Sequence, residues 1–422
     1  MGGAWTAVKA WVGRFWGDLK ASTDAGLLGL LRFVGLLYGR IDHRLPIDQA
    51  FRKALGYRLP RYAGWRHAFG GITYLLFIVL VGTGVLLSFY YRPSAQEAYQ
   101  SVQHVVSGIR LGWLMRDLHV WAANLVVVAA LVHMARVFFS AAYKPPRETN
   151  WLVGLFLLFL ILAFGATGYL LPWDQGAYWT VTEGLDVTER APLVGGMLAD
   201  ILRGDRIVSG ATLSRFFALH VIVLPWVALA LLMLHFALVR RHGIAPPEGV
   251  PEDRMGGVPF FPNHVLRTLV VAVLVLAIAA TAALVFPRAM ADPADPSRPP
   301  DVLLSTWIVA DVSRALVYYT DPWGPTLFVL LGVILALVPL FDRAPDRTPR
   351  RRQLRTALGV VFLAGLTVAW VAGWRLRFEP VSATGELTPY QQSPITTEPG
   401  APLPPVVPPG DLPTPPNDGG RE

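Results

Sequence analysis

The chain has 422 residues, of which 53% are hydrophobic and only 16% are charged. A soluble protein of this length carries about a quarter charged residues, so the composition excludes an ordinary water-soluble enzyme and indicates a membrane protein. The absence of cysteine excludes disulfides, thiolate metal sites, iron–sulfur ligation and thioether-attached haem within this chain. Any bound metal must be held by His, Asp or Glu.

The net charge of +8 is concentrated at the N-terminus. Residues 1–66 hold eleven Lys or Arg against four Asp or Glu, and the remaining 356 residues sum to only +1. Because this segment leads into the first long apolar run, we interpret it as membrane-facing and expect no nucleic-acid partner. Its apolar stretches are too short or too interrupted by charge to cross a bilayer, so residues 1–66 are predicted to form basic helices in the membrane interface.

Seven apolar runs are long enough to cross about 30 Å of hydrocarbon at about 1.5 Å per helical residue. They are Phe69–Tyr91, Asp117–Phe139, Trp151–Leu171, Phe216–Val239, Val265–Phe286, Pro325–Phe341 and Leu354–Trp374. The predicted fold class is an all-α integral membrane protein with seven transmembrane helices, the first four of which form a four-helix bundle.

The placement of Lys and Arg predicts the orientation of these spans. With the N-terminus in the cytoplasm, every strongly basic loop falls on the cytoplasmic side, as the positive-inside rule requires. The cytoplasmic basic residues are Lys144 and Arg147, then Arg240, Arg241 and Arg254, then six Arg within 342–355. Seven crossings place the C-terminus outside the cytoplasm.

The C-terminal segment 376–422 has a different character. Residues 391–422 contain ten prolines and almost no large apolar residues, so we predict an extended or disordered extracytoplasmic arm. A spacer is the favoured interpretation, and a docking strap for a partner is the alternative.

Four of the nine histidines lie inside two apolar runs, His119 and His133 in the second run and His220 and His235 in the fourth. An ionisable side chain in hydrocarbon is costly enough to indicate function. Intervals of fourteen and fifteen residues return each pair to nearly one helix face, roughly 21 to 23 Å apart along the axis. If the two spans pack side by side they run parallel, so His119 lies level with His220 and His133 with His235.

Two facing neutral imidazoles at each level are what six-coordinate, bis-histidine haem iron requires. The pattern therefore predicts that residues 67–242 form a core with two non-covalent b-type haems that carry electrons across the bilayer. Arg116 and Arg136 lie three residues outside the first His pair on the same helix, and we expect them to shield the haem propionates.

Glycines in the first and third runs repeat the fourteen-residue interval. They are Gly70 and Gly84, then Gly154 and Gly168. Glycine at these positions would let a porphyrin or a neighbouring helix approach the backbone closely. A single intramembrane His is often only a packing residue, and a seven-span transporter or structural protein is the non-redox alternative, but four His and four Gly in matched pairs favour the haem interpretation.

Five motifs follow one another along the chain: FGGIT, TGVLLSFYYRP, YKPPRETNW, FGATGYLLPWDQGAYW and LSRFFALHVIVLPW. They resemble the cytochrome b of Rieske/cytochrome b complexes, quinol oxidases of the bc and bf type, over roughly residues 60–375. The likeness is greatest to the chloroplast-type branch, which shares the fifteen-residue interval from His220 to His235. The resemblance implies that His119 and His220 hold the haem nearer the electropositive side, and that His133 and His235 hold the haem nearer the cytoplasm.

The resemblance also implies partners and a location. A Rieske-type iron–sulfur protein and a c-type cytochrome subunit are expected in a homodimeric complex, surrounded by lipid in the inner membrane of a bacterium. Two departures separate this chain from the chloroplast-type branch. Ala68 replaces the Cys that attaches an extra covalent haem there, so no c-type haem is expected in this chain. The last three spans, usually a separate subunit, are fused here, and residues 243–375 form the predicted three-helix quinol-site region.

The quinol-oxidation motif of the family, Pro-Glu-Trp-Tyr, should follow Pro293–Ser297, whose sequence PADPS resembles the loop after the fifth span. The chain has Ser305, Thr306, Trp307 and Ile308 instead. The missing carboxylate is normally proposed to take a proton from quinol, and a replacement acid must lie within hydrogen-bond reach of the quinol hydroxyl. Asp301 and Asp311 flank the motif as candidates, although a solvated interfacial charge is the favoured interpretation of each.

The resemblance places quinol near Tyr169, the turn Pro172–Gln175, Tyr178 and Trp307, with Trp307, Tyr169 and Asp311 as the candidate catalytic residues. Arg240 is expected at a second quinone site near the cytoplasmic haem. The predicted function is the diheme cytochrome b subunit of a quinol:cytochrome c, or similar acceptor, oxidoreductase that couples electron transfer to proton translocation. The alternative is a transmembrane diheme conduit for a different redox partner, with a lost or altered quinol-oxidation motif.

Overall fold

The computed structural model describes residues 58–60, 62, 64–246, 257–259, 265–300, 307–320, 323–343 and 346–376. Most of the expected interfacial helices of residues 1–66, and the Pro-rich tail after residue 376, lie outside these described residues. Asp301, Ser305 and Thr306 lie outside them as well.

Twelve α-helices form most of the described part of the chain. They are α1 (Phe69–Ser88), α2 (Ala98–Gly108), α3 (Gly112–Phe139), α4 (Glu148–Tyr169), α5 (Gln175–Glu189), α6 (Gly195–Arg203), α7 (Gly210–Ala218), α8 (Leu224–His242), α9 (Val265–Val285), α10 (Ile308–Thr320), α11 (Gly324–Phe341) and α12 (Gln353–Leu376). A π-helical segment, Leu219–Val223, joins α7 to α8 in one continuous helix. Two short strands, β1 (Arg58–Pro60) and β2 (Gly257–Pro259), pair antiparallel.

Within the described residues, seven helices are long and apolar enough to cross a membrane: α1, α3, α4, the continuous helix Gly210–His242, α9, α11 and α12. They confirm the predicted all-α fold class with seven spans. The fourth span begins at Gly210, six residues before the predicted Phe216, because a capping box starts the helix there. Ser209 accepts a hydrogen bond from the Ala211 N–H at 3.3 Å, and the Thr212 hydroxyl accepts one from the Ser209 N–H at 3.0 Å.

The spans turn many of their large apolar side chains outward. Val85 of α1, Leu269 and Val273 of α9, and Val361 of α12 are each more than half exposed. A soluble protein would bury such side chains, whereas a surface that contacts lipid requires them. The chain is therefore a multi-pass membrane protein.

Loops after the first, third and fifth spans meet at one end of the bundle. This end carries α2, α5, α6 and α10, and we call it the loop-helix end. The turn Pro172–Gln175 pairs there with the loop that follows α9, since the Gln175 N–H donates to the Asp292 carbonyl at 2.8 Å and the Ala294 N–H donates to the Trp173 carbonyl at 3.1 Å. The PWDQ and PADPS motifs, far apart in sequence, thus form one substructure that joins the four-helix core to the C-terminal spans.

At the opposite end, Asp342 connects the loop after the second span to the last two spans. Its Oδ1 lies 3.1 Å from Lys144 Nζ and 3.2 Å from Arg355 Nε, and its Oδ2 lies 2.6 Å from Arg352 Nη2. The Tyr143 hydroxyl also donates to this carboxylate. Burial acts to raise the pKa of Asp342, but the hydrogen bonds from Tyr143 and Lys144 and the charge of Arg352 outweigh it and lower that pKa. One ionised, buried carboxylate therefore holds three cations from two parts of the chain together.

Replacing Asp342 by Asn should destabilise the fold strongly. Three cations would lose their counter-charge, and breaking a buried ion pair from one side costs about 3 to 5 kcal/mol. The matched control is Asp346→Asn, since the Asp346 carboxylate pairs at 3.4 Å with Arg351, whose side chain is 68% exposed, and exposed pairs contribute about 0 to 1 kcal/mol. We expect thermal denaturation in detergent, followed by circular dichroism, to show a much lower midpoint for Asp342→Asn only. Equal midpoints for the two variants would contradict this role of Asp342.

Candidate functional site

The four intramembrane histidines come from two helices. His119 and His133 lie in α3, His220 lies in the π-helical segment, and His235 lies in α8. The imidazoles of His119 and His220 face each other with their ring centroids 6.3 Å apart and their planes at 68°. His133 lies within electrostatic reach of His235. The structure thus brings together the pairs that the sequence spacing predicted to lie level.

Each of the four predicted glycines lies against one of these imidazoles. A Cβ atom added to the glycine would approach the histidine Cε1 at 3.3 Å for Gly84 and His119, 3.0 Å for Gly70 and His133, 2.5 Å for Gly168 and His220, and 3.5 Å for Gly154 and His235. Any side chain at Gly168 would therefore displace the His220 ring. The repeated fourteen-residue glycine interval reflects this contact, because α1 contributes a glycine to each histidine of α3 and α4 contributes one to each histidine of the fourth span.

Two threonines orient the facing imidazoles. The Thr83 hydroxyl donates to the Val79 carbonyl at 2.7 Å and lies 2.8 Å from His119 Nδ1. Since its hydrogen is already used, the Thr83 oxygen accepts the Nδ1 hydrogen of His119, which leaves Nε2 without a proton. Thr167 repeats this arrangement, donating to the Ala163 carbonyl at 2.8 Å and lying 3.2 Å from His220 Nδ1.

These threonines were not among the residues predicted from the sequence, although the sequence contains a signal for them. Thr83 immediately precedes Gly84, and Thr167 immediately precedes Gly168. The Thr-Gly pair places the glycine against an imidazole and the hydroxyl beside its Nδ1 atom. The repeated Thr-Gly dipeptide therefore indicates a position that contacts a histidine ring more specifically than glycine alone does.

The π-helical segment explains why the two histidine intervals differ by one residue. In a regular α-helix, fourteen residues stop about 40° short of four full turns and fifteen overshoot by about 60°. A π turn contains one additional residue, so it absorbs the extra residue between His220 and His235 and restores the fourteen-residue geometry of α3. Pro225 favours the irregular turn, because it has no N–H and its ring clashes with the carbonyl of Val221 in a regular helix.

The described residues fit haem iron better than a chelated metal ion. They include no cluster of three or more His, Cys, Asp or Glu that could hold a metal. Two imidazoles on opposite sides of one metal, each bound through Nε2 at about 2.0 Å, place their centroids roughly 6.4 Å apart. The 6.3 Å separation of the His119 and His220 rings matches this distance, and their Nδ1 atoms are already engaged by threonine.

The two arginines predicted beside the haems differ in environment. Arg116 is buried, pairs with Asp117 Oδ1 at 3.3 Å and donates to the Arg288 carbonyl after α9. Arg136 is half-buried and lies almost one turn beyond His133 on α3. Arg116 thus also ties α3 to the fifth-span loop, and the shielding of haem propionates by both residues stays a prediction.

Tyr169 and Trp307, two residues expected to contact quinol, meet at the loop-helix end. Their rings stack with centroids 6.3 Å apart and planes at 29°. Trp307 lies against Gly165 of α4, where an added Cβ would approach its Cζ2 atom at 2.2 Å. The Asn124 side-chain oxygen accepts the Ile308 N–H at 3.1 Å and so fixes the start of α10 next to Trp307.

The remaining predicted quinone residues are less directly connected. Tyr178 is buried beside Trp173, with its hydroxyl donating to the Val208 carbonyl at 3.0 Å. Asp311 is 0% exposed, so its interpretation as a solvated interfacial charge is wrong. Its backbone packs against Gly373 of α12, where an added Cβ would lie 1.8 Å from the Asp311 carbonyl oxygen. Arg240 is exposed in the last turn of α8, and its role at a quinone site stays a prediction.

Seven spans, two of which carry histidines at two depths while two others pack glycines against them, define a helical bundle of the electron-transferring membrane class. The family model described as Cytochrome b/b6/petB matches residues 56–243. The chain belongs to the cytochrome b/b6 family and is a cytochrome b-type electron-transfer subunit. This membership overturns the alternative of a transporter or purely structural protein.

The relatives match different lengths of this chain. It is 39% identical over 211 residues to cytochrome b6 of Synechococcus sp. (strain JA-3-3Ab), which covers 50% of this chain and 98% of that relative. Cytochrome b6 of Prochlorothrix hollandica is 38% identical over 211 residues, covering 50% of this chain and 95% of the relative. A chain of the solved structure "Hyperthermophilic respiratory Complex III" matches with a TM-score of 0.71 and 28% identity, over 80% of this chain and 91% of that one. The structural match therefore extends beyond the part shared with cytochrome b6, as expected for a chain with a fused C-terminal region.

The role of the π turn predicts opposite results for two single-residue deletions. Deleting Ile222 should convert the π turn to a regular α-turn and keep His220 and His235 on one face. Deleting Val127, between His119 and His133 in a regular helix, should rotate these two residues relative to each other by about 100°. We expect the haem content per purified chain, measured as the pyridine haemochromogen, to be nearly preserved in the first variant and strongly reduced in the second. Equal loss in both would show that the π turn does not set the register.

Proposed function

We propose that the chain is the diheme cytochrome b subunit of a quinol-oxidising complex that carries electrons across the membrane between two quinone sites. The observation that carries this proposal is the His119 and His220 pair, whose rings face each other at 6.3 Å while Thr83 and Thr167 hold their Nδ1 atoms. This leaves two unprotonated Nε2 atoms for one iron. An ionisable side chain inside a membrane span is costly, so two such side chains that face each other indicate a function.

Four histidines would hold two non-covalent b-type haems. His119 and His220 bind the haem nearer the loop-helix end, His133 and His235 bind the second haem, and Arg116 and Arg136 compensate propionate charge. When bound, haem iron alternates between its ferric and ferrous states and passes one electron at a time. The chain has no cysteine, in keeping with the absence of a thioether-linked haem.

Quinol would bind at the loop-helix end beside the stacked rings of Tyr169 and Trp307. An aromatic stack of this kind offers a flat apolar wall to a quinol ring. Tyr178 and the turn Pro172–Gln175 would support this wall from the loop side. Of the two predicted acids, Asp311 is nearer to Trp307 along the chain. Quinone reduction would take place at the other end of the bundle near Arg240. Proton release at one membrane surface and uptake at the other would then couple electron transfer to proton translocation.

The complex would contain a Rieske-type iron–sulfur protein as the first electron acceptor, a c-type cytochrome subunit and a second copy of this chain. We place it in the inner membrane of a bacterium, with the N-terminus in the cytoplasm and the Pro-rich tail outside. Each part of the chain would have its own role. The core at 67–242 would hold the haems, and the region at 243–375 would complete the quinol site. The segment 1–66 would lie in the membrane interface, and 376–422 would form the extracytoplasmic arm.

The altered quinol-oxidation motif favours one alternative function. Ser305, Thr306 and Ile308 replace three of the four motif residues, which suits a diheme conduit that exchanges electrons with a different partner. The subunit composition of the native complex separates the two functions, because quinol oxidation with divided electron flow requires an iron–sulfur subunit and a conduit does not.

Replacing the histidines one at a time should remove one haem each. We expect His119→Ala and His133→Ala to halve the b-type absorbance per chain in reduced-minus-oxidised spectra, with different residual band positions, because each variant loses an iron ligand at a different depth. The control is His104→Ala, since His104 is exposed on α2 outside the spans, and it should keep both haems. Retention of both haems in either bundle variant would refute the ligand assignment.

Replacing Trp307 or Tyr169 should slow electron entry without removing haem. We expect Trp307→Ala and Tyr169→Ala to lower the rate of haem reduction by a short-chain quinol at least tenfold, because the quinol ring loses one wall of its site. Haem reduction by dithionite should be unchanged. Tyr319→Ala is the control, because Tyr319 lies on α10 but is 63% exposed. Unchanged quinol-dependent rates in both wall variants would argue for the conduit.

A further inference from the structure

A carboxylate and a guanidinium meet between α5 and α10 at the loop-helix end. Glu183 Oε2 lies 3.9 Å from Arg314 Nη2, and the two side chains are 49% and 15% exposed, respectively. Trp307 immediately precedes α10, and Arg314 lies seven residues later, about two turns or 10 Å along the helix axis. The pair is therefore separated from the Tyr169 and Trp307 stack by about two turns of α10.

Three buried polar atoms without hydrogen-bond partners among the described residues belong to Arg314 itself and to the helical turn of α5 that precedes Glu183. Trp179 Nε1, Thr180 Oγ1 and Arg314 Nη1 are each buried and have no hydrogen-bond partner within the part of the chain that the structure describes. Trp179 and Thr180 lie four and three residues before Glu183, on the same face of α5. Buried donors and acceptors in native proteins are almost always satisfied. Three unsatisfied ones, one on Arg314 and two within about one turn of Glu183 on α5, indicate a site for a small polar group such as the oxygen of a quinol ring.

The same end of the bundle lacks an acid in its motif. The sequence Ser305-Thr306-Trp307-Ile308 contains no carboxylate, and the backbone of Asp311 packs against α12 at Gly373. Glu183 extends from α5 to Arg314 of α10, and half of its side-chain surface stays open. Its carboxylate is thus accessible to a bound molecule, whereas the Asp311 side chain is 0% exposed.

We propose that Glu183 accepts the proton of the quinol hydroxyl, in place of the carboxylate that the altered motif lacks. This inference rests on the proposed quinol oxidation. In the step, the quinol O–H bond breaks, the proton forms a new O–H bond on the Glu183 carboxylate, and the electron pair of the broken bond stays on the quinol oxygen. The resulting quinol anion is then oxidised by the one-electron iron–sulfur acceptor of the proposed complex. Arg314 steadies the carboxylate before transfer, and its free Nη1 donor faces the quinol oxygen afterwards.

The electrostatic surroundings of Glu183 suit a proton acceptor. Although about half of the Glu183 side chain is open, partial burial of its carboxylate raises its pKa; Arg314 of α10 lowers that pKa, and the neighbouring Asp186 raises it further. Asp186 is itself held by Arg203 of α6 at 3.1 Å. A carboxylate whose pKa lies nearer neutrality is a stronger base than an ordinary glutamate and still releases its proton. Below that pKa the group is already protonated and cannot accept, so quinol oxidation should fall on the acid side.

The test uses native membranes that contain the complete complex, with decyl-ubiquinol and a short-chain menaquinol as alternative substrates. Glu183→Gln keeps the shape of the side chain but removes the base. We expect a roughly 100-fold lower kcat for quinol-dependent haem reduction, a KM within a factor of about three, unchanged haem content and a flattened acid limb of the pH profile. Glu183→Asp should restore part of the rate and of the acid limb. The matched control is Glu189→Gln, on the same helix and 52% exposed beside Arg203, which should behave as the unaltered chain.

Trp307→Ala distinguishes failure of this inference from failure of the proposed function. If Trp307→Ala slows quinol oxidation while Glu183→Gln keeps the original rate and pH profile, the role of Glu183 is overturned and quinol oxidation stands. If neither quinol reduces the haems of the unaltered complex, the proposed function falls, and the role of Glu183 falls with it. A slow Glu183→Gln variant with normal haem and an altered pH profile supports the proposal, because a purely structural residue would not move the acid limb.

Discussion

Four half-buried imidazoles inside an apolar bundle are the constraint on which the rest of the structure depends. Each is a polar group that hydrocarbon penalises unless its nitrogen atoms are satisfied. The protein meets this requirement for His119 and His220 with one threonine each, and it brings all four rings against glycine. The close approach fixes which spans are neighbours, since α1 must lie on α3 and α4 must lie on the fourth span. The arrangement of the helices in the core therefore follows from the packing of the histidine rings against glycine.

Matching two histidine pairs at two depths also requires a common register between the helices. The fourth span has one residue more than α3 between its histidines, and a π turn at Leu219–Val223 takes up the difference. The irregularity lies at His220 itself, so the ring position and the helix register are set in the same turn. Elsewhere the bundle can be regular, and its lipid-facing surface carries ordinary apolar side chains with little positional specificity. Structural precision is concentrated where the imidazoles meet.

Much of this fold could be predicted from the sequence, because the relevant residues recur at regular intervals or would be unfavourable in a membrane without a reason. The seven apolar runs match the length of a bilayer, histidine is rare inside such runs, and the glycines repeat the interval of the histidines. Three features could not be predicted in this way. The π turn could be predicted only by knowing that the fifteen-residue interval from His220 to His235 must match the fourteen-residue interval of α3. The buried Asp342 cluster joins residues about 200 positions apart in the sequence. The burial of Asp311 depends on the close packing of α10 on α12 at Gly373, a long-range contact without a local signature.

The altered motif at Trp307 becomes physically reasonable once its supports are identified. Trp307 is positioned by Gly165, which leaves space for the indole, and by Asn124, which binds the N–H of the following residue. Neither support belongs to the motif, and the Asn124 contact uses the backbone of Ile308, so it does not depend on the side chain there. The aromatic wall of the proposed quinol site can therefore persist while the other motif residues change. An acid must face the substrate from somewhere for quinol to lose its proton, and a carboxylate on α5 can supply it because α5 and α10 are joined at Glu183 and Arg314. In this arrangement the wall and the base are held by different helices, so the two can change independently.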